Sequence, residues 1–247
     1  MGKVIIVASG KGGTGKTSFC SGVSAALARS GAKVLVIDAD AGMKNLDIVM
    51  GMTDKVFFSF ADVMAGRVAL SDAAAAHPAL DSLFVLTAPA DTDPESADRE
   101  KALDLLSEAA KEFDFVIIDC PAGAGVYTLL FAAGADRAVI VATPDNTSLR
   151  GAEKMASAFI GMGVPLVQLA VNRVRSRLIS SGLARNIDDA MDETGLPLIG
   201  IIPEDINVLT SANIGRLVAF DSTVAARAYN NIADRIKGQY VPLLKIK

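Results

Sequence analysis

Short apolar segments alternate with longer segments of helical periodicity along most of the chain. Most of the short segments are continuously hydrophobic and rich in Val and Ile, as expected for parallel strands that are covered on both faces. They span residues 4–8, 34–37, 83–86, 115–118, 138–142, 166–171 and 198–202. Helical patterns span residues 19–29, 95–111, 148–160, 185–193 and 224–236. This alternation predicts an α/β fold with a single doubly wound, mostly parallel sheet and helices on both faces.

Local signals sharpen some of these boundaries. Gly31 is expected to cap the first long helix, and Pro94 is expected to open the helix that begins near Glu95. The alanine run at residues 73–76 is expected to be helical. His77, the one histidine, precedes a proline and is expected in a loop, where it has no partner ligands for a metal.

The composition agrees with one large buried core. Of the 247 residues, 51% are hydrophobic and 21% are charged, so disorder is not expected. No repeat or break in composition divides the chain, and its length suits one large α/β domain. We predict that residues 1–238 form this domain and that residues 239–247 form a C-terminal tail.

The charge and cysteine content disfavour several classes of protein. The net charge is −4 and the isoelectric point is about 5.1. Non-specific DNA binding requires clustered Lys and Arg, which this acidic balance does not indicate, so a DNA partner is not expected. Cys20 and Cys120 indicate reduced thiols rather than a disulfide framework. The first strand begins too early for a signal peptide, and no apolar run reaches about 18 residues. We therefore expect a soluble cytoplasmic protein.

A glycine-rich segment directly follows the first strand and precedes the first helix. It matches G-x-x-x-x-G-K-[ST], in which backbone N–H groups surround phosphates, the lysine contacts the β- and γ-phosphates and the hydroxyl binds Mg²⁺. A chance turn is disfavoured because strand, loop and helix occur in the required order. Lys16 and Thr17 are expected to take the two side-chain roles. The residues of this predicted phosphate loop are Gly10, Lys11, Gly12, Gly13, Thr14, Gly15, Lys16, Thr17 and Ser18.

A second lysine in this loop, Lys11, resembles the signature lysine of the deviant Walker A ATPases. This family includes the MinD, ParA, Mrp and nitrogenase iron proteins, and the resemblance covers nearly the full length of the chain. In the family the lysine reaches across a dimer to the partner's nucleotide. The resemblance therefore implies a P-loop ATPase that uses ATP and Mg²⁺, forms a homodimer with ATP, and employs Lys11 and Lys16 in catalysis.

Two carboxylates, Asp38 and Asp40, follow the second strand, where a parallel sheet places its ligands. On an extended segment they point the same way, so one could serve the hydration shell of Mg²⁺ and the other orient the attacking water. A solvated acidic turn is the simpler alternative. The motif resembles the Asp-x-Asp of the family, and by that resemblance Asp40 activates water and Asp38 supports the metal. Asn45 and Asp47 resemble the first switch of MinD proteins, which would span Lys44–Gly51 in this chain. MinD proteins commonly carry Arg at the position of Lys44.

The fourth predicted strand ends in Asp119 after three apolar residues. This is a Walker B pattern, whose carboxylate is expected near Mg²⁺, and the alternative is a residue that caps the next helix. Pro121, Ala122 and Gly123 follow and resemble the second switch of the family. Small residues with hinge-like freedom allow such a loop to respond to the γ-phosphate.

The cysteines raise the question of an iron–sulfur cluster, because carriers of such clusters belong to the same family. Cluster ligation requires several thiolates at suitable spacing. Cys20 and Cys120 form no such pair, so both are expected to be small residues in or near the core.

The carboxyl ends of the last two predicted strands carry polar residues. The amide of Asn172 offers one acceptor and two donors, which suits an adenine edge, although an Asn that caps a turn fits the sequence as well. In the family these two stretches frame the base. The resemblance thus implies a base site formed by Asn172, Arg173, Pro203, Glu204 and Asp205.

Two further clusters carry weaker signals. One is basic and is expected to form a solvated face, with phosphate or partner contact as the alternative. Its members are Arg173, Arg175, Arg177 and Arg185. The other is a group of methionines expected to fill the core near the first switch, although they would also suit a partner surface. Its members are Met43, Met50, Met52 and Met64.

The tail ends in apolar and basic residues, of which Leu243, Leu244 and Ile246 could contact a membrane. MinD proteins end in a short amphipathic helix that docks on the membrane when dimerisation doubles its valency, and the tail resembles such an element. It is shorter than most interfacial helices, and a plain terminal strand or a disordered end fits equally well.

Together these features predict an ATP-gated dimeric switch ATPase of the MinD type, with a membrane surface and an activating protein as partners. The protein would be cytoplasmic, or peripheral on the inner face of the cell membrane. A flagellar-number regulator of the MinD type shares almost every motif. A ParA-like partition ATPase is disfavoured by the acidic balance, and an iron–sulfur carrier by the lack of paired cysteines. Gly151 stands where MinD proteins usually carry Asp, which leaves the details of the dimer face or partner docking open.

Overall fold

The computed structural model describes residues 1–43, 45–89 and 98–244, and within these residues one sheet contains eight strands. The order along the sheet is β3-β4-β2-β5-β1-β6-β7-β8, and all neighbouring strands are parallel except β3 and β4. The strands β1 to β8 are Lys3–Ala8, Val34–Asp38, Ala75–His77, Leu80–Leu86, Phe115–Asp119, Arg137–Ala142, Val167–Val174 and Leu198–Pro203.

Helices occupy most of the connections between the strands. In the described residues a 3-10 helix also spans Val218–Phe220. The helices α1 to α11 are Lys16–Arg29, Leu46–Val49, Phe60–Met64, Leu70–Ala73, Arg99–Glu112, Val126–Ala132, Asn146–Gly161, Ser176–Ser180, Ile187–Thr194, Ile206–Asn213 and Val224–Ile236.

Both faces of the sheet are buried, which explains why its central strands are continuously apolar. In β1, Val4 and Ile6 pack in a core with residues of α5, α6 and α7, whereas Ile5 and Val7 pack in a second core with residues of α1 and α11. Alternate side chains of one strand thus enter different cores. The prediction of a single doubly wound sheet with helices on both faces is confirmed.

The centre of the sheet is a topological switch point. Strand β1 lies between β5 and β6, and the chain continues from β1 through α1 to β2 on the β5 side. From β5 it returns through α6 to β6 on the other side of β1. Such a point leaves a crevice beyond the carboxyl ends of the strands, so the loops after β1, β2 and β5 meet at one edge.

One predicted helix is wrong. The alanines at 73–76 do not form a helix, because α4 ends at Ala73 and the chain then forms the edge strand β3 from Ala75. His77, expected in a loop, is the last residue of this strand and is buried. Its Nε2 lies 2.9 Å from Met50 O, and the Ala79 N–H donates to its Nδ1. Pairing with β4 outweighs the helix propensity of alanine here.

Other elements differ in extent. Gly31 has a φ of 95° and ends the first helix as expected. Helix α5 is described from Arg99, and the expected start at Pro94 and Glu95 lies outside the described residues. Other helices have no counterpart in the hydrophobic pattern, and most of them have seven residues or fewer, which is too short to show a period. They are α2, α3, α4, α6, α8 and α10.

The described part of the tail is not helical. Residues 239–244 have no regular secondary structure, and Arg235 holds them by donating to Val241 O and Pro242 O and, on the other side, to Ile199 O of β8. Leu244 packs against the core, Leu243 is exposed, and Ile246 lies outside the described residues. No helix in the described ranges is long and apolar enough to cross a membrane.

The contact between α1 and α11 yields a test of this packing. A Cβ at Gly22 of α1 would lie 2.6 Å from Cδ2 of Tyr229, a fully buried ring of α11. We expect Gly22→Ala to lower the free energy of unfolding by about 1–3 kcal/mol, because overpacking outweighs the gain in helix propensity. Urea unfolding measures the change.

Gly161→Ala is the matched control, since a Cβ at this helix position meets nothing within 4 Å. The control should be neutral or stabilising. Equal stability of the two variants would contradict the close packing of α1 on α11.

Candidate nucleotide-binding site

The predicted phosphate loop lies at the carboxyl end of β1, in the crevice at the switch point. Ser9 Oγ donates to Lys11 O at 2.7 Å, and Gly13 and Gly15 adopt φ values of 77° and 93°. Only glycine adopts such backbone angles without strain. Helix α1 begins at Lys16 directly after Gly15, so its N-terminal N–H groups and its dipole favour an anion in the loop.

The start of the loop rests directly on α7. A Cβ at Gly10 would lie 2.1 Å from Gly151 O, and a Cβ at Gly151 would lie 3.0 Å from the backbone of Gly10. The two glycines therefore allow backbone-to-backbone contact. Gly151, which departs from the MinD pattern, belongs to the packing of the loop on α7 in this chain.

Lys11 is engaged at the N-terminus of α7. Its Nζ donates to Asp145 Oδ1 at 3.3 Å and to Thr147 Oγ1 at 2.9 Å, and Lys11 and Asp145 are both about half exposed. Burial raises the pKa of Asp145, but hydrogen bonds from Thr143, Thr147, Ser148 and Lys11 outweigh it and hold that pKa well below its usual range. Sequence analysis missed both partners, which lie more than a hundred residues away along the chain.

Asp38 and Asp119 are brought together at the ends of adjacent strands, as paired residues of β2 and β5. Burial raises the pKa of Asp38 to about 6, although the N–H groups of Asp40 and Leu46 donate to its carboxylate at 2.9 and 3.2 Å. Burial, and to a smaller extent repulsion from Asp38, raises the pKa of Asp119 to about 7. Hydrogen bonds from Thr17 and Cys20 lower this pKa but do not outweigh the burial. Two buried carboxylates thus face each other beside the loop.

The donor set beside the loop fits a magnesium ion. Asp119 is buried, and its Oδ1 accepts no hydrogen bond within the described residues. The hydroxyl of Thr17 lies within hydrogen-bond reach of the same carboxylate. In the described ranges no group of three or more His, Cys, Asp and Glu side chains forms a metal site. Mg²⁺ in nucleotide sites characteristically takes one or two carboxylates, with phosphates and water completing its shell.

The two predicted switch segments contact this centre. Asp38 accepts from Leu46 at the start of α2, so it ties the first switch to the end of β2. Asp40 lies partly exposed next to it, and Asn45 precedes α2. Asp47 Oδ1 accepts from the N–H of Ile48 within the same turn. Lys44 lies outside the described residues.

The second predicted switch is joined to the phosphate loop by the backbone. The N–H of Gly123 donates to Ser9 O at 2.8 Å, and Gly123 has a φ of 84°. Pro121 and Ala122 precede it, directly after β5. Cys120 and Cys20 are both buried and free, as expected, and burial raises the pKa of each thiol.

A cavity of about 500 Å³ lies beside the loop at the ends of β7 and β8. Asn172 Nδ2 donates to Thr14 O at 2.7 Å, which leaves one donor and the amide oxygen for a ligand, and Arg173 adopts a φ of 55°. The structure brings together all five residues expected to frame the base, and sequence analysis missed the apolar side chains of α10 beside them. The predicted residues in the wall are Asn172, Arg173, Pro203, Glu204 and Asp205, and the additional ones are Ile206, Val208 and Leu209.

The methionines of the predicted cluster lie in different environments. Met50 and Met52 are buried in the core, as expected, and Met64 packs partly against it. The prediction that Met43 fills the core is wrong, because this residue is 67% exposed. It lies in the turn after Asp40, beyond the reach of either core.

Comparison with known proteins covers almost the full chain. Residues 2–162 match a family described as an AAA domain, and residues 99–237 match a family described as the NUBPL iron-transfer P-loop NTPase. The septum site-determining protein MinD of Bacillus subtilis is 36% identical over 250 residues, which cover 98% of this chain and 92% of that protein. The MinD protein of Synechocystis is 34% identical over 246 residues, covering 99% and 92%.

Solved structures of MinD proteins from other organisms are also similar. The MinC:MinD cell division complex of Aquifex aeolicus gives a TM-score of 0.92 at 31% identity, covering 98% of each chain. The cell division ATPase MinD of Pyrococcus furiosus gives a TM-score of 0.84 at 30% identity, covering 96% of this chain and 99% of that one. MinD of Pyrococcus horikoshii, complexed with Mg-ADP, gives a TM-score of 0.83 at 28% identity, covering 96% of each chain.

The buried carboxylates predict an unusual pH dependence of stability. Because the pKa of Asp119 rises from 3.8 to about 7 on folding, the folded protein keeps a proton that the unfolded chain has lost. Stability therefore falls as the pH rises from about 4 to 7, and the full penalty is present above 7. We expect Asp119→Asn to raise the melting temperature of the ligand-free protein at pH 8 by roughly 5–10 °C, and by less at pH 5.

Scanning calorimetry without nucleotide or Mg²⁺ measures this difference. Asp104→Asn, at an exposed position of α5, is the control and should leave the melting temperature unchanged at both pH values. An Asp119→Asn protein that melts like the wild type at pH 8 would refute the raised pKa of Asp119.

Proposed function

The chain belongs to the family of the septum site-determining MinD proteins, and we propose that it acts as a dimerising switch that hydrolyses ATP to ADP and phosphate. The observation that carries this proposal is the phosphate loop with its second lysine, next to a buried pair of carboxylates. A nucleotide would place its phosphates in the loop and its base in the cavity beside Asn172. ATP and Mg²⁺ are the cofactors.

Thr17, Asp38 and Asp119 are the residues that would hold Mg²⁺ and its bound water. The unpaired Oδ1 of Asp119 and its close carboxylate neighbour support this assignment. When bound, Mg²⁺ supplies positive charge that neutralises the β- and γ-phosphates. Both carboxylates would be deprotonated when they hold the metal, and its positive charge would offset the repulsion between them.

Hydrolysis would require stabilisation of the charge on the γ-phosphate and correct positioning of the attacking water. Lys16 at the start of α1 and Lys11 of the opposite subunit would stabilise the negative charge that develops on the γ-phosphate. Asp40 lies partly exposed beside Asp38, where the loop is held by backbone hydrogen bonds. We assign it the role of orienting the attacking water.

Dimerisation would require Lys11 to exchange partners. In the monomer its Nζ contacts Asp145 and Thr147, and these contacts are half exposed. Exposed ion pairs contribute at most about 1 kcal/mol. The phosphates of a nucleotide on the opposing subunit would therefore outcompete them readily.

The ATP-bound dimer would hold a protein partner and a membrane surface until hydrolysis separates it. A complex of MinC with MinD is known for the Aquifex protein, and we propose that the present chain also binds a regulatory protein. The exposed Leu243 of the tail supports a membrane contact. The protein would then alternate between the cytoplasm and the inner face of the cell membrane.

Replacing Lys11 tests the dimer. Lys11→Ala should abolish ATP-dependent dimerisation and leave binding of ATP to the monomer, because Lys16 and the loop remain. Analytical ultracentrifugation with ATP and with ADP measures the oligomeric state. Lys3→Ala is the matched control, since Lys3 also forms an exposed ion pair, with Asp136. Unchanged dimerisation of the Lys11→Ala protein would exclude a role across the interface.

Replacing Asp40 tests the hydrolytic role. Asp40→Ala should lower the rate of phosphate release by about a hundredfold or more, because the water loses its orienting base. ATP would then persist, so the dimer should outlast that of the wild type in the same ultracentrifugation experiment. A variant that stays monomeric with ATP, or that hydrolyses at the wild-type rate, would refute the assignment.

A further inference from the structure

A second cavity, of about 850 Å³, adjoins the base cavity and opens toward the tail. It shares the wall formed by Pro203, Glu204 and Asp205 with the base cavity but extends away from the phosphate loop. We call it the basic cavity. Arg175, in the loop after β7, also lines both cavities. The remaining walls come from α8, from α11 and from the tail, and they include Arg177, Leu178, Val224, Arg227 and Leu244.

The basic cavity is lined by three arginines and two carboxylates, so its walls carry an excess of one positive charge. Arg175 pairs with Glu204. The carboxylate of Asp205 is engaged by the backbone and side chain of Asn207 and by the N–H of Ala225. Arg177 and Arg227 form no ion pair with any residue that the structure describes. Two guanidinium groups without an ion-pair partner thus line a concavity that also contains the carboxylate of Asp205, in a protein whose net charge is −4. Concave walls concentrate the field of such groups.

Apolar side chains border the same cavity. Val224 in its wall is 41% exposed, and the neighbouring tail exposes 49% of Leu243 and 93% of Tyr240. Leu244 lies in the wall itself. Arg235 holds the tail in this place through the carbonyls of Val241 and Pro242. Cationic and apolar groups therefore share the walls of this cavity, and the exposed Leu243 directly precedes the wall residue Leu244.

We propose that the basic cavity receives the phosphate of an anionic phospholipid headgroup while Tyr240 and Leu243 enter the apolar side of the membrane interface. This rests on the membrane association proposed above and names its lipid chemistry. A free phosphate would use the arginines alone, whereas a phospholipid at a membrane uses both parts of the surface. Two weak contacts on each subunit become four in a dimer, which raises the avidity for a membrane.

Vesicle cosedimentation with ATP and Mg²⁺ tests the arginines. The wild type should bind vesicles of phosphatidylglycerol and phosphatidylcholine better than vesicles of phosphatidylcholine alone. Arg177→Gln/Arg227→Gln should lower binding to the anionic vesicles roughly tenfold or more. The control Arg99→Gln/Lys111→Gln removes the same charge from α5, on the other face of the sheet, and should bind like the wild type. Equal losses in both variants would overturn the proposal.

A soluble short-chain lipid tests lipid binding by the basic cavity independently of membrane association. Dihexanoyl phosphatidylglycerol, below its micelle concentration, is titrated by calorimetry against the wild type saturated with Mg-ADP, and inorganic phosphate is titrated in parallel. Saturable binding of the lipid that is lost in Arg177→Gln/Arg227→Gln supports the cavity even if no vesicles are bound. Absence of binding, or equal binding of inorganic phosphate, overturns it.

The tail is tested by Tyr240→Ser/Leu243→Ser, which leaves Leu244 and the arginines in place. This variant should lose vesicle binding but still bind the short-chain lipid. Failure of vesicle binding in the wild type would thus refute the membrane association, while failure of the short-chain lipid would refute the basic cavity.

Discussion

A parallel sheet that is buried on both faces has room for polar side chains only beyond the ends of its strands. In this protein the central strands alternate between two apolar cores, and β1, β2 and β5 end side by side. The phosphate loop, Asp38 and Asp119 follow at that edge. Burial on both faces therefore sets the position of the chemistry, and the switch point opens the crevice in which a nucleotide fits.

The loops of the site are joined to one another by single hydrogen bonds to the backbone. Asp38 accepts from Leu46, Gly123 donates to Ser9 O, and Asn172 donates to Thr14 O. Each bond connects the phosphate loop or the carboxylate pair to a segment that would respond to a ligand.

The buried carboxylate pair links this geometry to the proposed function. Asp38 and Asp119 both have raised pKa values because burial disfavours their charge, and that charge is what Mg²⁺ would use. Above pH 7 the folded protein is therefore less stable than it would be with neutral side chains at these two positions. Lys11 is held by an exposed ion pair, whose exchange for another partner requires little free energy.

Sequence alone determined the sheet, the helices that cover it, the phosphate loop and the carboxylates at the strand ends, because hydrophobic period and local motifs are short-range signals. The edge strand at His77 and the short helices depended on packing between distant segments, as did the exposure of Met43. Only the tertiary structure decided that Lys11 meets Asp145, that Gly10 rests on Gly151, and that Arg177 and Arg227 share one cavity. Each of these contacts joins residues far apart in the chain, whose proximity follows from strand order and crossover geometry rather than from spacing along the sequence.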